Sequence, residues 1–425
     1  MKNKFKLNKI CLCWLAICIG MLCTIIFLFG HIDYIAVAID VIACTLFCAK
    51  TIRDKSYISE TLVVSVNHTP VYDYLRCLAV FLVILLHVVR FELSLITDDI
   101  YGNVLYKNIF AISVFSLMGN MLFVMLSGTL LLRYRDESVV DYVIKRFSKV
   151  FVPLFLYFFL YYYFYVYEGT IERDTIGGLF RRFFTGDINS VEAPHFWLIY
   201  VIIFLYVVFY FLRSMLKDIS YHDLSLLVVA TVVFSALIIF VPYSISDILS
   251  CRFLGWILAS IVGFWVSKDE TRKYDFILII AGIISIAIML FSYYYLEEAA
   301  FYTYLDNLSP FRYVVGIGIF ALFLHFKDFL KASYLIRLIS KYSYGIMLIH
   351  YLVIYIIYRR DLRIVSCVMY HGLGTVVVFL QVLAFSLILA FLIDNTYVSL
   401  LQSIISLMNS IPKRKENSWQ IPVLC

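Results

Sequence analysis

Charge is scarce in this chain: Asp, Glu, Lys and Arg make up 15% of its 425 residues, while 63% are hydrophobic. That balance excludes a soluble globular protein of this size and leaves a polytopic membrane protein, in which spans are the unit to count. Metal-ligand spacing is missing too. The ten cysteines lie mostly inside apolar segments, Cys11, Cys13, Cys44, Cys77 and Cys251 among them, with no CxxC and no Cys/His pattern. They behave as small apolar residues, so neither disulfides nor a metal site is expected. The sequence holds no glycine-rich nucleotide loop, internal repeat, low-complexity tract or nucleic-acid motif, and no nucleic-acid partner is expected.

What it does hold is a succession of apolar segments. Lys2, Lys4, Lys6 and Lys9 precede an apolar run from Ile10 to Gly30. A secretory signal is one reading, with Ala36-Val37-Ala38 as a small-residue cleavage pattern. The run is long for a signal core, and a second apolar segment, 34–49, follows at once, which favours an uncleaved hairpin over residues 1–69. Asp40 lies in its second arm and is expected to pair with another helix. Further spans are expected at 72–90, 110–132, 150–167, 196–212, 224–241, 251–266, 275–295, 311–326, 341–358 and 374–393. The fold class is therefore an all-α transmembrane bundle of about 12 spans, a hairpin plus a core over 70–395.

Most of the 35 Lys and Arg residues fall on the N-terminal side of these spans, which puts both termini in the cytoplasm. Arg359, Arg360 and Arg363 fall on the other side and break the pattern. Two outer segments, 91–109 (with Asp98 and Asp99) and 168–195, are long. The tail, 396–425, reads as a short surface helix from Tyr397 to Met408 and a Lys413-Arg414-Lys415 cluster in contact with membrane lipids.

The chemistry concentrates in V-Y-D-Y-L-R-C-L-A-V-F-L-V-I-L-L-H-V-V-R, Val71 to Arg90. Eleven residues separate Arg76 from His87, almost three helical turns, so both lie on one face about 16 Å apart along the axis. Asp73 falls on that face one turn from the arginine. Ionisable groups at membrane depth usually face a bundle interior and mark a functional path. The plainer alternative is a hydrogen-bonded interfacial histidine, with Arg76 snorkelling to the surface.

Other candidates are Arg133 and Arg135 after Ser127-Gly128. They are suited to bidentate phosphate contacts or, more plainly, to anchoring the span and packing it. His195 and Trp197 open a span at the expected outer surface, where an aromatic stacks on a sugar or simply marks the interface. His350 sits mid-span, catalytic or structural.

Together these residues resemble a family, the acyltransferase 3 membrane proteins. Arg76 and His87 match its opening signature, and Ser127-Gly128 with Arg133-x-Arg135 resembles its next motif. His195-x-Trp197-Leu198 with Tyr200 and Tyr206, and Tyr342-Ser343-Tyr344-Gly345 through His350, look like its later spans. Met347 stands where a tyrosine is common, and the glutamate-rich "SLAVEEQFY" variant is absent, as in the branch that modifies surface polysaccharides or lipid-linked sugars. The resemblance spans about 70–395.

It implies transfer of an acyl group, most often acetyl, from cytoplasmic acyl-CoA to a carbohydrate hydroxyl across a bacterial plasma membrane. In that scheme Arg133, Arg135 and Ser127 serve the CoA, and Arg76, oriented by Asp73, acts on the donor. His87 is general base or transient acyl carrier, and His195, Trp197 and His350 line the acceptor site. A proton-coupled transporter or lipid-linked-sugar flippase is the rival class; the missing repeat symmetry and broken-helix pairs count against it.

Overall fold

The computed structural model describes residues 69–94, 109–240, 252–295, 308–331, 333–363 and 373–402. The expected hairpin with Asp40, the acidic pair Asp98 and Asp99, and the basic tail cluster lie outside the described residues. Among the described residues all regular structure is helical: α1 (Pro70–Leu93), α2 (Met118–Leu131), α3 (Val139–Arg146), α4 (Val152–Tyr167), α5 (Ile176–Thr185) and α6 (Trp197–Met215). There follow α7 (Tyr221–Phe240), α8 (Arg252–Val266), α9 (Asp275–Tyr295), α10 (Pro310–His325), α11 (Tyr334–Arg359) and α12 (Leu373–Ile393).

Each of the spans expected after residue 70 is a helix here. Seven runs are long and apolar enough to cross a membrane: Pro70–Leu93, Ile109–Leu131, Val139–Tyr167, Pro194–Met215, Asp269–Tyr293, Tyr334–Arg359 and Gly374–Gln402. Tyr221–Leu237, Phe253–Val266 and Pro310–His325 are shorter apolar helices. The third span starts at Val139 rather than at 150, because α3 joins α4 through a π-helical turn, Phe147–Phe151. Pro153 is the second residue of α4. Proline has no N–H for the carbonyl four residues back and its ring crowds that carbonyl; the wider turn absorbs the misfit. A second π-helical turn, Asp394–Val398, carries the last helix on to Gln402. The expected boundary at 396 falls inside this continuous helix, and 403–408 lie outside the described residues.

Lipid-facing stripes are plain. Ile277, Ile280, Ile284, Phe291 and Tyr295 on α9 and Phe204, Val207, Phe211 and Met215 on α6 are exposed at three- and four-residue spacing. Such stripes suit hydrocarbon, not water. The α2 and α11 runs are the most buried of the long helices and α9 the least.

Small residues set the closest crossings. A Cβ at Gly128 would lie 1.9 Å from the Ser260 carbonyl oxygen, and one at Gly263 would lie 2.0 Å from that of Met125. The α2 and α8 backbones therefore meet directly, fastened by the Thr129 hydroxyl donating to Gly263 O at 2.7 Å. The crossing that matters most for chemistry is α1 with α11, which run parallel. The Tyr74 hydroxyl donates to Lys331 O (3.0 Å) and the Cys77 thiol to Ile336 O (3.2 Å) at one end. Tyr358 donates to Glu92 at the other.

Candidate active site

The parallel seam of α1 and α11 fixes two polar ends. At the first, the Ser340 hydroxyl donates to Asp73 Oδ1 at 2.6 Å and accepts from Arg76 Nη1 at 3.0 Å. Arg76 and Asp73 themselves stand 3.9 Å apart. Asp73 thus holds Arg76 chiefly through a serine on another helix. Arg133 Nη2 donates to the Tyr72 hydroxyl at 3.2 Å, so it reaches the same end. Tyr206 on α6 and Arg146 on α3 line one small cavity together with Tyr142. Arg146 Nε is buried with no hydrogen-bond partner among the described residues. Arg76 and Arg133 thus gather at the start of α1, and guanidiniums in such a setting suit an anion.

Three helices bring three histidines together at the second end. Ring centroids are 5.2 Å apart for His87 and His350, 5.0 Å for His195 and His350, and 6.1 Å for His87 and His195. Tyr351 stacks on His195 at 5.1 Å and meets His87 edge-on at 5.3 Å. His350 is fully buried, and its Nδ1 lies 2.8 Å from Met347 O. His195 Nε2 lies 3.1 Å from Leu348 O. A carbonyl only accepts, so each of these nitrogens carries the proton and the opposite ring nitrogen keeps its lone pair. Those opposite atoms, His350 Nε2 and His195 Nδ1, are buried and unpartnered among the described residues. His87 makes no hydrogen bond among the described residues and opens, with His195, on a cavity of about 330 Å³. Trp197, Trp256, Asn120 and Arg90 also line that cavity.

The structure therefore brings Arg76 and His87 onto the α11-facing side of one helix and adds His195 and His350 to His87. Arg135 is exposed and has no partner among the described residues, and the Ser127 hydroxyl donates to its own backbone at Phe123 O (2.9 Å). His195, expected where a span opens at the outer surface, is only 6% exposed. The expected outer segment 168–195 folds α5 back along α4, with Phe180 on Phe155 and Phe159 and Phe183 on Phe151, Phe155 and Phe158. The start of α6 is thereby drawn inward against Tyr161. Gly345 in the late motif makes room for Asp394: a Cβ there would come within 2.6 Å of Oδ2, whose partner Oδ1 accepts from Tyr157 at 3.1 Å.

Sequence reasoning missed Ser340, Tyr161, Trp256, Arg90 and Arg146 as site residues. Ser340 and Tyr161 are common residue types with no charge to mark them. The others carried a usable signal, a cation or an indole inside or beside an apolar run. Outside the spans, Glu137 braces the loop between α2 and α3 by accepting from Lys145 at 2.6 Å and Arg213 at 3.4 Å. Those cations, Lys145 first, hold its carboxyl below the ordinary value of 4.5. Arg182 does the same for Asp174 at the start of α5, 2.7 Å away.

Residues 70–395 match the family model described as an acyltransferase domain of the acyltransferase 3 type. No curated protein matches the chain, and no solved structure does. With the matched region covering most of the sequence and its helices, the chain belongs to the acyltransferase 3 family and is a membrane acyltransferase.

Proposed function

We propose that the protein is an O-acyltransferase of a bacterial plasma membrane. It moves an acyl group, acetyl in the simplest case, from cytoplasmic acyl-CoA to a hydroxyl of a polysaccharide or lipid-linked glycan on the far side. The observation that carries this reading is the placement of a guanidinium end, at Arg76, and an imidazole end, at His87, on one side of one helix. They are about 16 Å apart along α1. A donor held by its phosphates at the first end and an acceptor held at the second would meet between them.

Arg133, Arg76 and Arg146 are the residues to hold the CoA phosphates, and the unpartnered Arg146 Nε fits that task. Arg135 and Ser127 are assigned to the mouth of the same site. Arg76, fixed by Asp73 through Ser340, keeps the charge in register. His87 acts as general base: as the acceptor oxygen bonds to the thioester carbonyl carbon, the hydroxyl proton passes to the imidazole. The carbon–sulfur bond then breaks, and the thiolate leaves and takes a proton to become the free thiol. His195 lines the acceptor cavity and His350 backs His87 from α11, each anchored to a backbone carbonyl, and Trp197 offers the acceptor a ring face. A route through acyl-His87 uses the same groups in two steps.

The test is transfer of label from acetyl-CoA to host glycan by full-length protein, wild type against His87→Ala and Arg133→Ala. Loss of transfer in the first and weaker acyl-CoA binding in the second support the reading. Wild type that binds no acyl-CoA and moves no label removes it.

A further inference from the structure

The cavity above the histidines holds one feature that acyl transfer to an ordinary hydroxyl does not need. Arg90, in the last turn of α1, lines it together with His87, Trp197 and Trp256. Its side chain makes no hydrogen bond or ion pair among the described residues. The nearest carboxylate along the helix, Glu92, is 2% exposed and engaged by Tyr358. Trp197 and Trp256, from α6 and α8, face one another with ring centroids 5.7 Å apart at 47°. Trp256 is 3% exposed, yet it borders the cavity. Arg90 is exposed, so its charge is hydrated and needs no partner within the protein. On the lining of this cavity it sets a positive charge beside the buried Trp256 indole, an arrangement that suits a ring bearing a negative charge. At about 330 Å³ the space suits a small ligand and not a polymer strand.

We propose that this cavity is the acceptor subsite for a single anionic sugar residue. Arg90 binds its carboxylate or phosphate, and the Trp197–Trp256 pair packs against the ring so that one hydroxyl faces His87. The inference rests on the acyltransferase reading and adds the charge of the acceptor to it. The charge has two possible sources: a carboxylate on the ring, as in a uronic acid, or a phosphate on the anomeric carbon, as in a lipid-linked sugar. The guanidinium fork fits both.

Saturation-transfer NMR on the full chain in nanodiscs tests it with three probes, methyl β-glucuronide, glucose 1-phosphate and methyl β-glucoside. At least one charged probe is expected to bind about tenfold more tightly than the glucoside, the scale of one charge-assisted contact. Arg90→Gln should erase that preference and Arg90→Lys should keep part of it. Trp256→Leu should weaken all three probes alike. Preference for the glucuronide locates the charge on the ring carboxylate, and preference for the phosphate locates it at the anomeric position. Equal binding of charged and neutral probes, binding of none, or an unchanged preference in Arg90→Gln overturns the proposal. Label transfer from acetyl-CoA to host glycan is scored in parallel: if it persists under those outcomes, only the anionic subsite falls, and if it is absent from wild type, the acyltransferase reading falls with it.

Discussion

The Tyr161 hydroxyl donates to Leu348 O at 3.0 Å and accepts from Leu352 N–H at 2.9 Å. These are the two groups that a regular α-helix pairs with each other. A phenol from α4 is thereby seated in the backbone ladder of α11, one turn around His350 and Tyr351, while His195 shares the same Leu348 carbonyl. Side chains inserted into a helix ladder bend it locally. Tyr161→Phe removes both hydrogen bonds from the turn that carries His350 and Tyr351. Acyl transfer is expected to drop about tenfold, against a stability cost of about 1–3 kcal/mol. Initial rates with labelled acetyl-CoA and a thermal melt separate the two effects.

Ser340 is the residue that ties Arg76 to Asp73. Ser340→Ala removes the donor to Asp73 and the acceptor for Arg76 together, leaving a 3.9 Å ion pair to position the guanidinium. Weaker use of acyl-CoA, seen as a KM increase of about tenfold with little change in kcat, is the expected result. Ser340→Thr, which keeps the hydroxyl, should restore most of it. A kcat loss with unchanged KM would argue that Arg76 serves the reacting carbonyl and not the donor's phosphates.

His87 carries the proton in the proposed reaction, so His87→Ala should slow transfer about 10²–10⁴-fold, the usual scale for removing a general base. Folding should be spared, because the ring makes no hydrogen bond among the described residues and opens on the cavity. Size-exclusion profiles and labelled-glycan yields measured on the same preparation check both halves.

Gly128 lies within the arginine-pair motif but serves packing. Gly128→Ala would drive a methyl into the Ser260 carbonyl, and Gly263→Ala into that of Met125. Overpacking of this kind costs about 1–3 kcal/mol or more. Lower yield and melting temperature are expected, with the surviving protein keeping its wild-type KM for acyl-CoA.

Glu137 links acidity to stability. Its folded-state pKa is depressed by Lys145 and Arg213, so the contribution is complete above the ordinary carboxylate value and lost as pH falls through the lower folded value. The melting temperature of wild type should fall as the solution is taken below pH 4.5. Glu137→Gln should start lower at neutral pH and show a shallower acid decline. Parallel melts of both proteins from pH 7 downward decide it.

The sequence by itself determined the helical class, the succession of spans after residue 70, the pairing of Arg76 with His87 on one face, and the family, although the third span begins eleven residues earlier than expected and the last helix runs nine residues further. Hydrophobic period and the cost of a charge in hydrocarbon are local, and they are written into consecutive residues. Only the tertiary structure decided that α11 runs parallel to α1, so that Ser340 meets Arg76 and His350 meets His87. It also decided that α5 folds back along α4 and draws His195 inward. Such pairings depend on which helices lie side by side, on glycines that let backbones touch, and on hydroxyls whose partners are more than a hundred residues away. No local pattern encodes them, because the same tyrosine or serine satisfies lipid interface, core or site equally well until its neighbours are in place.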